Sequence, residues 1–310
     1  MNHRRSSRLS ARLLLLALCA AVAADTAQTP SLLSAENQAW LQEAIRNGKA
    51  DLRWPDFSDY SKHVQKFYDF SGNSLWWVKG MEPTPQARQA IALLLQAGQK
   101  GLSADDYDGP LWSDRLAKLK PQTPQPLESD AVKFDLALTV EVMRYISDLH
   151  IGRVNPQHLA FAFDEESKKY DLAELLRDRV VNGPDAASVL AEVEPPYPGY
   201  RRLMQAFQTY RDLAAKDDGE QLPAVKKTVA PGDPYPGVPR LTRFLRLVGD
   251  LPADAVVPDD STVYDGPLVD GVKKFQSRHG RDADGRIGPQ TLADLNVPLS
   301  RRVQQMQWTL

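Results

Sequence analysis

The stretch SDAVKFDLALTVEVMRYISDLH, from Ser129 to His150, carries two apolar stripes at helical spacing. Val132, Leu136, Val140 and Met143 form one. Phe134, Leu138, Val142 and Tyr145 form the other. A helix with a single apolar stripe can lie on a surface, but one that is apolar on more than one face has to be surrounded. The chain is therefore expected to be mainly α, with this helix in the middle of a bundle.

Other segments supply the surrounding layer. In TPQARQAIALLLQAGQKG, Thr84 is placed to cap a helix, Pro85 suits its first position and Gly101 is placed to close it. Ser103 is placed to cap a further turn. Pro and Gln residues in KPQTPQP interrupt the chain before the central helix, and Gly152 and Pro156 end that helix. Further helices are expected near Leu172–Val181, Asp185–Val193 and Tyr200–Ala215. Phe67, Tyr68, Phe70, Trp76 and Trp77 crowd around a turn at Ser71–Asn73. Burial in the core explains such rings better than a sugar platform does. Residues 25–55 show no clear pattern.

From Asp217 to Pro239 the chain is rich in Pro and Gly and reads as a linker with a short extended piece near Val225–Val229. Beyond it lie three short amphipathic helices. Leu241, Phe244, Leu245 and Val248 face inward in the first, stopped at Gly249. Leu268, Val272 and Phe275 do so in the second, stopped at Gly280. Leu292 and Leu295 do so in the third, which Gly288 and Pro289 begin. Gly285 is expected at positive φ in the intervening turn, and Ile287 closes the core.

The 310 residues allow two domains, and a net charge of -2 without a basic tract past the N-terminus argues against nucleic acid as a partner. Arg4, Arg5, Arg8 and Arg12 precede the apolar run LLLLALCAAVAA, which ends in an A-x-A arrangement at Ala21 and Ala23. This pattern predicts a secretory signal peptide over 1–24. The alternative is a retained anchor, although the run is short for a bilayer span. Leu18 before Cys19 does not suit a lipobox. With cleavage, no stable membrane anchor is expected. Cys19 is the single cysteine, so the mature chain would have no disulfide, thiolate nucleophile or cysteine-held zinc.

The motif residues now support a resemblance. LVDGVKKFQSRHGRDADGRIGPQTLADLN is similar to the peptidoglycan-binding module of bacterial cell-wall enzymes. The matching positions are Phe275 and Gln276, His279 and Gly280, Asp284 to Gly288, and Thr291 with Leu295. FYDFSGNSLWW, PTPQARQAIALLLQAGQKGLSADDY, FDLALTVEVMRYISDLHIGRVNP and PPYPGYRRLMQAFQTYRDLA together resemble the helical scaffold of the large, YcbB-like L,D-transpeptidases. The tail NVPLSRRVQQMQWTL resembles the helix that leads into their catalytic domain.

The resemblance implies a mainly α fold, with a scaffold domain over 56–216, a Pro/Gly-rich linker over 217–237 and a three-helix peptidoglycan-binding domain over 238–297. Residues 298–310 would begin the helix leading to a catalytic domain that this sequence lacks. In the family, that domain works through a histidine and a cysteine in an S-x-G-C-x-R type motif, and the sequence contains no such motif. The expected role is periplasmic peptidoglycan binding by the non-catalytic portion of a cell-wall crosslinking enzyme, in a truncated product. The apolar stripe Val303, Met306 and Leu310, with no partner evident in the sequence, favours truncation. The rival is an adaptor that targets or regulates a separate cell-wall enzyme. A third alternative is an enzyme with an unrecognised site in the helical domain. Peptidoglycan, and in the rival reading other cell-wall enzymes, are the expected partners.

Searches for independent chemistry return little. The sequence has no G-x-S-x-G or S-x-x-K for a serine nucleophile. Glu165 to Ser167 faintly resembles the Glu-Ser of lytic transglycosylases, without its sequence context. His150 and His158 lack ligand spacing. Aligning Gly285 with the glycine of a calcium loop puts Gly280 and Thr291 where carboxylates are required. No cofactor and no metal are expected. In the second module, Phe275, Gly280, Asp284, Gly285, Ile287, Gly288, Thr291 and Leu295 are expected to be mostly structural. Wall contact falls to neighbours expected to be exposed: Tyr264, Gln276, Arg278, His279 and Arg286. Arginine suits peptide carboxylates and tyrosine suits sugar faces.

Overall fold

A computed structural model describes residues 33–120, 127–153, 171–183 and 185–310. The expected signal peptide, the Pro/Gln break, His158 and Glu165 to Ser167 lie outside them. The architecture is mainly helical. The helices are α1 (Ala35–Asn47), α2 (Ser61–Asp69), α3 (Pro85–Leu95), α4 (Trp112–Lys118) and α5 (Glu128–His150). Then come α6 (Leu172–Leu175), α7 (Ala186–Val193), α8 (Pro198–Ala214), α9 (Val238–Leu247), α10 (Pro267–Arg278), α11 (Pro289–Leu295) and α12 (Leu299–Gln307). A hairpin joins β1 (Val78–Lys79) to β2 (Glu82–Pro83), pairing Val78 with Pro83. Among the described residues no helix is long and apolar enough to cross a membrane.

The central helix is α5. Both of its apolar stripes are buried, and so are Asp135, Thr139, Glu141 and Arg144 between them. Helices α1, α3, α4 and α7 pack around it. Each fully buried large apolar side chain stabilises the fold by about 2 kcal/mol, so this helix anchors the first core. Thr84 caps α3 by accepting from the Ala87 N–H at 3.1 Å. The helix ends at Leu95, and a single tighter turn carries the chain to Gly101 at φ 80°. Ser103 begins a short turn but its side chain makes no capping bond.

Residues 33–55 are not unpatterned. Ser34 caps α1 through the Asn37 N–H, and Gly48 ends the helix at φ 62°. Leu41, Ala44 and Ile45 are buried. Phe67, Tyr68 and Trp77 belong to the core, whereas Phe70 lies at the edge beneath Arg177, 4.0 Å from its ring centroid. Trp76 stacks on Phe67 with centroids 5.0 Å apart.

The second core uses α9, α10 and α11, and it also uses the expected linker. Leu222, Val229 and Tyr235 are buried in it. Val229 and Ile287 exchange backbone hydrogen bonds at 3.1 and 3.0 Å. Asn296 clasps the backbone of Leu222 with its side-chain oxygen and nitrogen. Arg240 binds Asp217 and the Glu220 carbonyl. The segment lacks helical period because it runs extended around the module, not because it is loose.

The end of the chain also departs from expectation. Helix α12 packs along α8, and Val303, Met306 and Leu310 are each half-buried. Leu310 Cδ1 sits 2.9 Å from where a Cβ on Gly101 would lie. The stripe that the sequence leaves without a partner is half-covered, on a helix packed along α8 and with Leu310 against Gly101.

Candidate functional site

The turn 281–288 is polar and largely exposed, and its geometry follows from one buried amide. Gln276 is 2% exposed. Its Nε2 donates toward Asp284 Oδ1 at 2.8 Å, the Arg286 carbonyl at 3.0 Å and Thr291 Oγ1 at 3.3 Å. Its Oε1 accepts from the Gly285 N–H at 2.8 Å. The amide spends its donors and its acceptor within the chain. Gln276 is therefore not an exposed contact residue. It faces inward because the turn brings three oxygens and an N–H onto one point.

Tyr264 is corrected in the same way. It is fully buried, and its hydroxyl donates to the Gly285 carbonyl at 2.7 Å. Burial pushes its hydroxyl well above the usual phenol range. The ring is a post beneath the turn and offers no face to a sugar.

The turn also constrains its glycine. Gly285 has φ 70°, and a Cβ there would come within 2.8 Å of Val269 Cγ1. A side chain at this position would be both strained and crowded. Asp284 accepts from the Arg286 N–H at 2.8 Å, and that bond with the Gln276 amide holds its carboxyl below the ordinary range. Phe275, Ile287 and Leu295 are buried core, Thr291 is buried beside Gln276, and Gly280 has φ 66°. Gly288 precedes α11 in an extended conformation.

The remaining candidates separate by partner. Arg278 Nε lies 2.9 Å from Asp250 Oδ1, Nη2 pairs with the other oxygen, and Nη1 reaches the Tyr210 hydroxyl at 3.2 Å. It ties α10 to α8, with Asp250 nearly buried. His279 stacks on Phe275 at 3.9 Å between centroids. Its Nδ1 lies 2.8 Å from the Phe275 carbonyl, which only accepts, so Nδ1 carries the hydrogen. Burial lowers its pKa and favours the neutral ring. Arg286 is exposed, and its guanidinium has no hydrogen-bond or ion-pair partner among the described residues. Of the five expected contact residues, Arg286 alone combines exposure with a side chain that makes no bond among the described residues. Arg281, not anticipated from the sequence, is exposed nearby but pairs with Asp294 at 2.7 Å.

The scaffold holds strongly perturbed carboxyls, but in its core. Asp135 accepts from the Trp77 N–H at 2.6 Å and from the Tyr68 hydroxyl at 2.7 Å. Burial raises it to about 7. Burial also raises Glu141 to about 8, against the opposing effect of Arg144 at 2.8 Å. Both residues are 0% exposed; Asp135 braces the Trp77 backbone and the Tyr68 ring, and Glu141 holds Arg144 through one oxygen while Oε2 has no hydrogen-bond partner among the described residues. Among the described residues, no three His, Cys, Asp or Glu side chains are grouped to hold a metal ion.

Two family models match this chain. Residues 62–207 match the family described as "Scaffold domain". Residues 235–295 match the family described as "Putative peptidoglycan binding domain". No curated protein matches the chain. The two matches support a peptidoglycan-binding scaffold protein with a role at the cell wall. The second match covers the buried Gln276 hub and the turn that presents Arg286.

Proposed function

We propose that the chain is the scaffold and wall-holding part of an L,D-transpeptidase system working in the periplasm. The observation that carries this reading is the peptidoglycan-binding match on a module whose turn is built from within and leaves Arg286 outward. The scaffold match alongside it, together with the resemblance to L,D-transpeptidase scaffolds, supports the association with crosslinking. On this reading the scaffold is a rigid mount. Its buried acids hold the core, and α8 and α12 hold the module in place through Arg278 and the Leu310 contact. The cysteine chemistry of crosslinking is supplied by a separate domain, because no S-x-G-C-x-R motif occurs in this sequence.

The test is co-sedimentation of the purified chain with sacculi, followed by incubation with tetrapeptide-bearing muropeptides. Retention without formation of 3→3 crosslinks is expected. A chain that stays in the supernatant would overturn the wall-binding reading. A crosslink formed by this chain alone would overturn its non-catalytic part. Capture of a transpeptidase from envelope extract in trans would favour the adaptor form of the same reading.

A further inference from the structure

A cleft of about 420 Å³ opens in the scaffold between the C-terminal end of α5 and the N-terminal end of α8. Its volume lies in the range of small-molecule sites. His150, Pro195, Pro196, Tyr197, Tyr200 and Thr309 are among the residues that line it. We infer that this cleft is a glycan subsite, which takes a neutral N-acetylhexosamine unit of the peptidoglycan strand against the ring of Tyr197. The inference rests on the wall-binding reading and extends it from the module to the scaffold.

Three observations point to this ligand class. First, Tyr197 is 60% exposed on a backbone that its neighbours restrict. It lies between Pro196 and Pro198, at φ -72° and ψ 137°, the extended conformation that a following proline imposes. Pro196 is itself fixed through its carbonyl, which accepts from Arg201 Nη1 at 2.6 Å. A large exposed ring on a restricted backbone has less backbone entropy to lose on stacking. Second, no lining residue is Asp, Glu, Lys or Arg. The lining itself offers no Lys or Arg to pair with the acidic stem peptides of peptidoglycan, whereas an uncharged sugar needs none. Third, the wall mixes apolar surface with polar tips. The Tyr200 hydroxyl donates to Glu194 at 3.2 Å and Thr309 Oγ1 donates to the Gln305 carbonyl at 3.0 Å. Each oxygen, having donated its hydrogen, keeps lone pairs able to accept from sugar hydroxyls or an acetamide N–H. A pyranose has this same division, with C–H groups on its faces and hydroxyls on its edges.

The probe is tetra-N-acetylchitotetraose, a soluble β-1,4-linked N-acetylglucosamine oligomer, titrated calorimetrically into the full chain. Saturable binding is expected. Tyr197→Ala should weaken it about tenfold, as loss of an aromatic face does. Tyr197→Phe keeps the ring and should stay within about twofold of the parent. Absence of saturable binding by the parent chain overturns the inference, and so does equal affinity of the parent and Tyr197→Ala. Co-sedimentation with sacculi, run on the same preparations, separates the two levels. Retention on sacculi with no Tyr197-dependent tetrasaccharide binding removes the subsite and leaves the wall-binding reading standing. A parent chain that fails to sediment removes that reading, whatever the tetrasaccharide does.

Discussion

The two cores bury polar groups by different means. The scaffold core buries ionisable side chains, Asp135 and Glu141, on its central helix at 0% exposure. The module buries a neutral amide, Gln276, and a phenol, Tyr264, and holds its buried charges, Arg240 and Asp250, in ion pairs. A buried acid avoids the cost of desolvation by keeping its proton, so its environment shifts its pKa upward. A buried amide has no such choice and must find all its partners by geometry. The difference predicts that the scaffold responds to pH and the module responds to the shape of its turn.

The largest test is removal of the scaffold strut. Asp135→Ala would leave the buried Trp77 N–H and Tyr68 hydroxyl short of their acceptor, so a loss of about 3 kcal/mol is expected. Urea denaturation followed by tryptophan fluorescence measures it. A loss as small as that of a surface substitution would mean that the two cores do not differ as described. The module counterpart is Gln276→Ala, expected to cost about 2 kcal/mol because the Gly285 N–H loses its buried partner. Amide exchange of Gly285 and Arg286 should quicken first, with the scaffold amides unaffected. Quickening spread evenly over both cores would show that the turn is not a local device.

The pH response is smaller and its sign is fixed. An acid whose folded pKa is raised binds its proton more tightly folded than unfolded. Its contribution is complete below the ordinary carboxyl value of 3.8 for Asp135 and is lost as the pH rises through about 7. For Glu141 the loss runs from 4.5 to about 8. Melting temperature should therefore fall between pH 5.5 and 8, and Asp135→Asn should flatten that slope. A melting temperature that rises across this interval would contradict the burial of protonated acids.

How much of this could be read from the sequence depends on how local each cause is. The centrality of α5 was legible because two stripes at helical spacing are a property of a single segment. Helix α1 was equally local, with Ser34 before it, Gly48 after it and Leu41 and Ile45 one turn apart, yet its polar composition obscured the pattern. The burial of Tyr264 was not legible, because it depends on a carbonyl 21 residues away. The same holds for the extended segment around Val229, whose partner is Ile287. Helix α12, which carries Val303 and Met306, packs on α8, on the other side of the second module in sequence, and Leu310 meets Gly101. Polar residue types suggested exposure, but long-range geometry decided it.

That distinction bears most directly on Arg278 and Arg286, which sequence reasoning placed together. Arg278→Ala would strip the nearly buried Asp250 of its ion pair and cost about 1 kcal/mol or more. Any loss of sacculus retention in that variant would then reflect a displaced module. Arg286→Ala breaks no side-chain bond among the described residues, so its stability should change by no more than about 0.5 kcal/mol. Its retention on sacculi should nevertheless fall by about threefold, the scale of one exposed charge contact, and more so at low salt. Arg286→Lys keeps the charge but not the fork, so recovery of retention by lysine would assign the contact to charge alone. Failure of lysine to recover it would assign it to paired hydrogen bonds with a carboxylate. If Arg286→Ala binds sacculi as the parent does, the outward face of this turn is not where the wall is held, and the search moves to the scaffold.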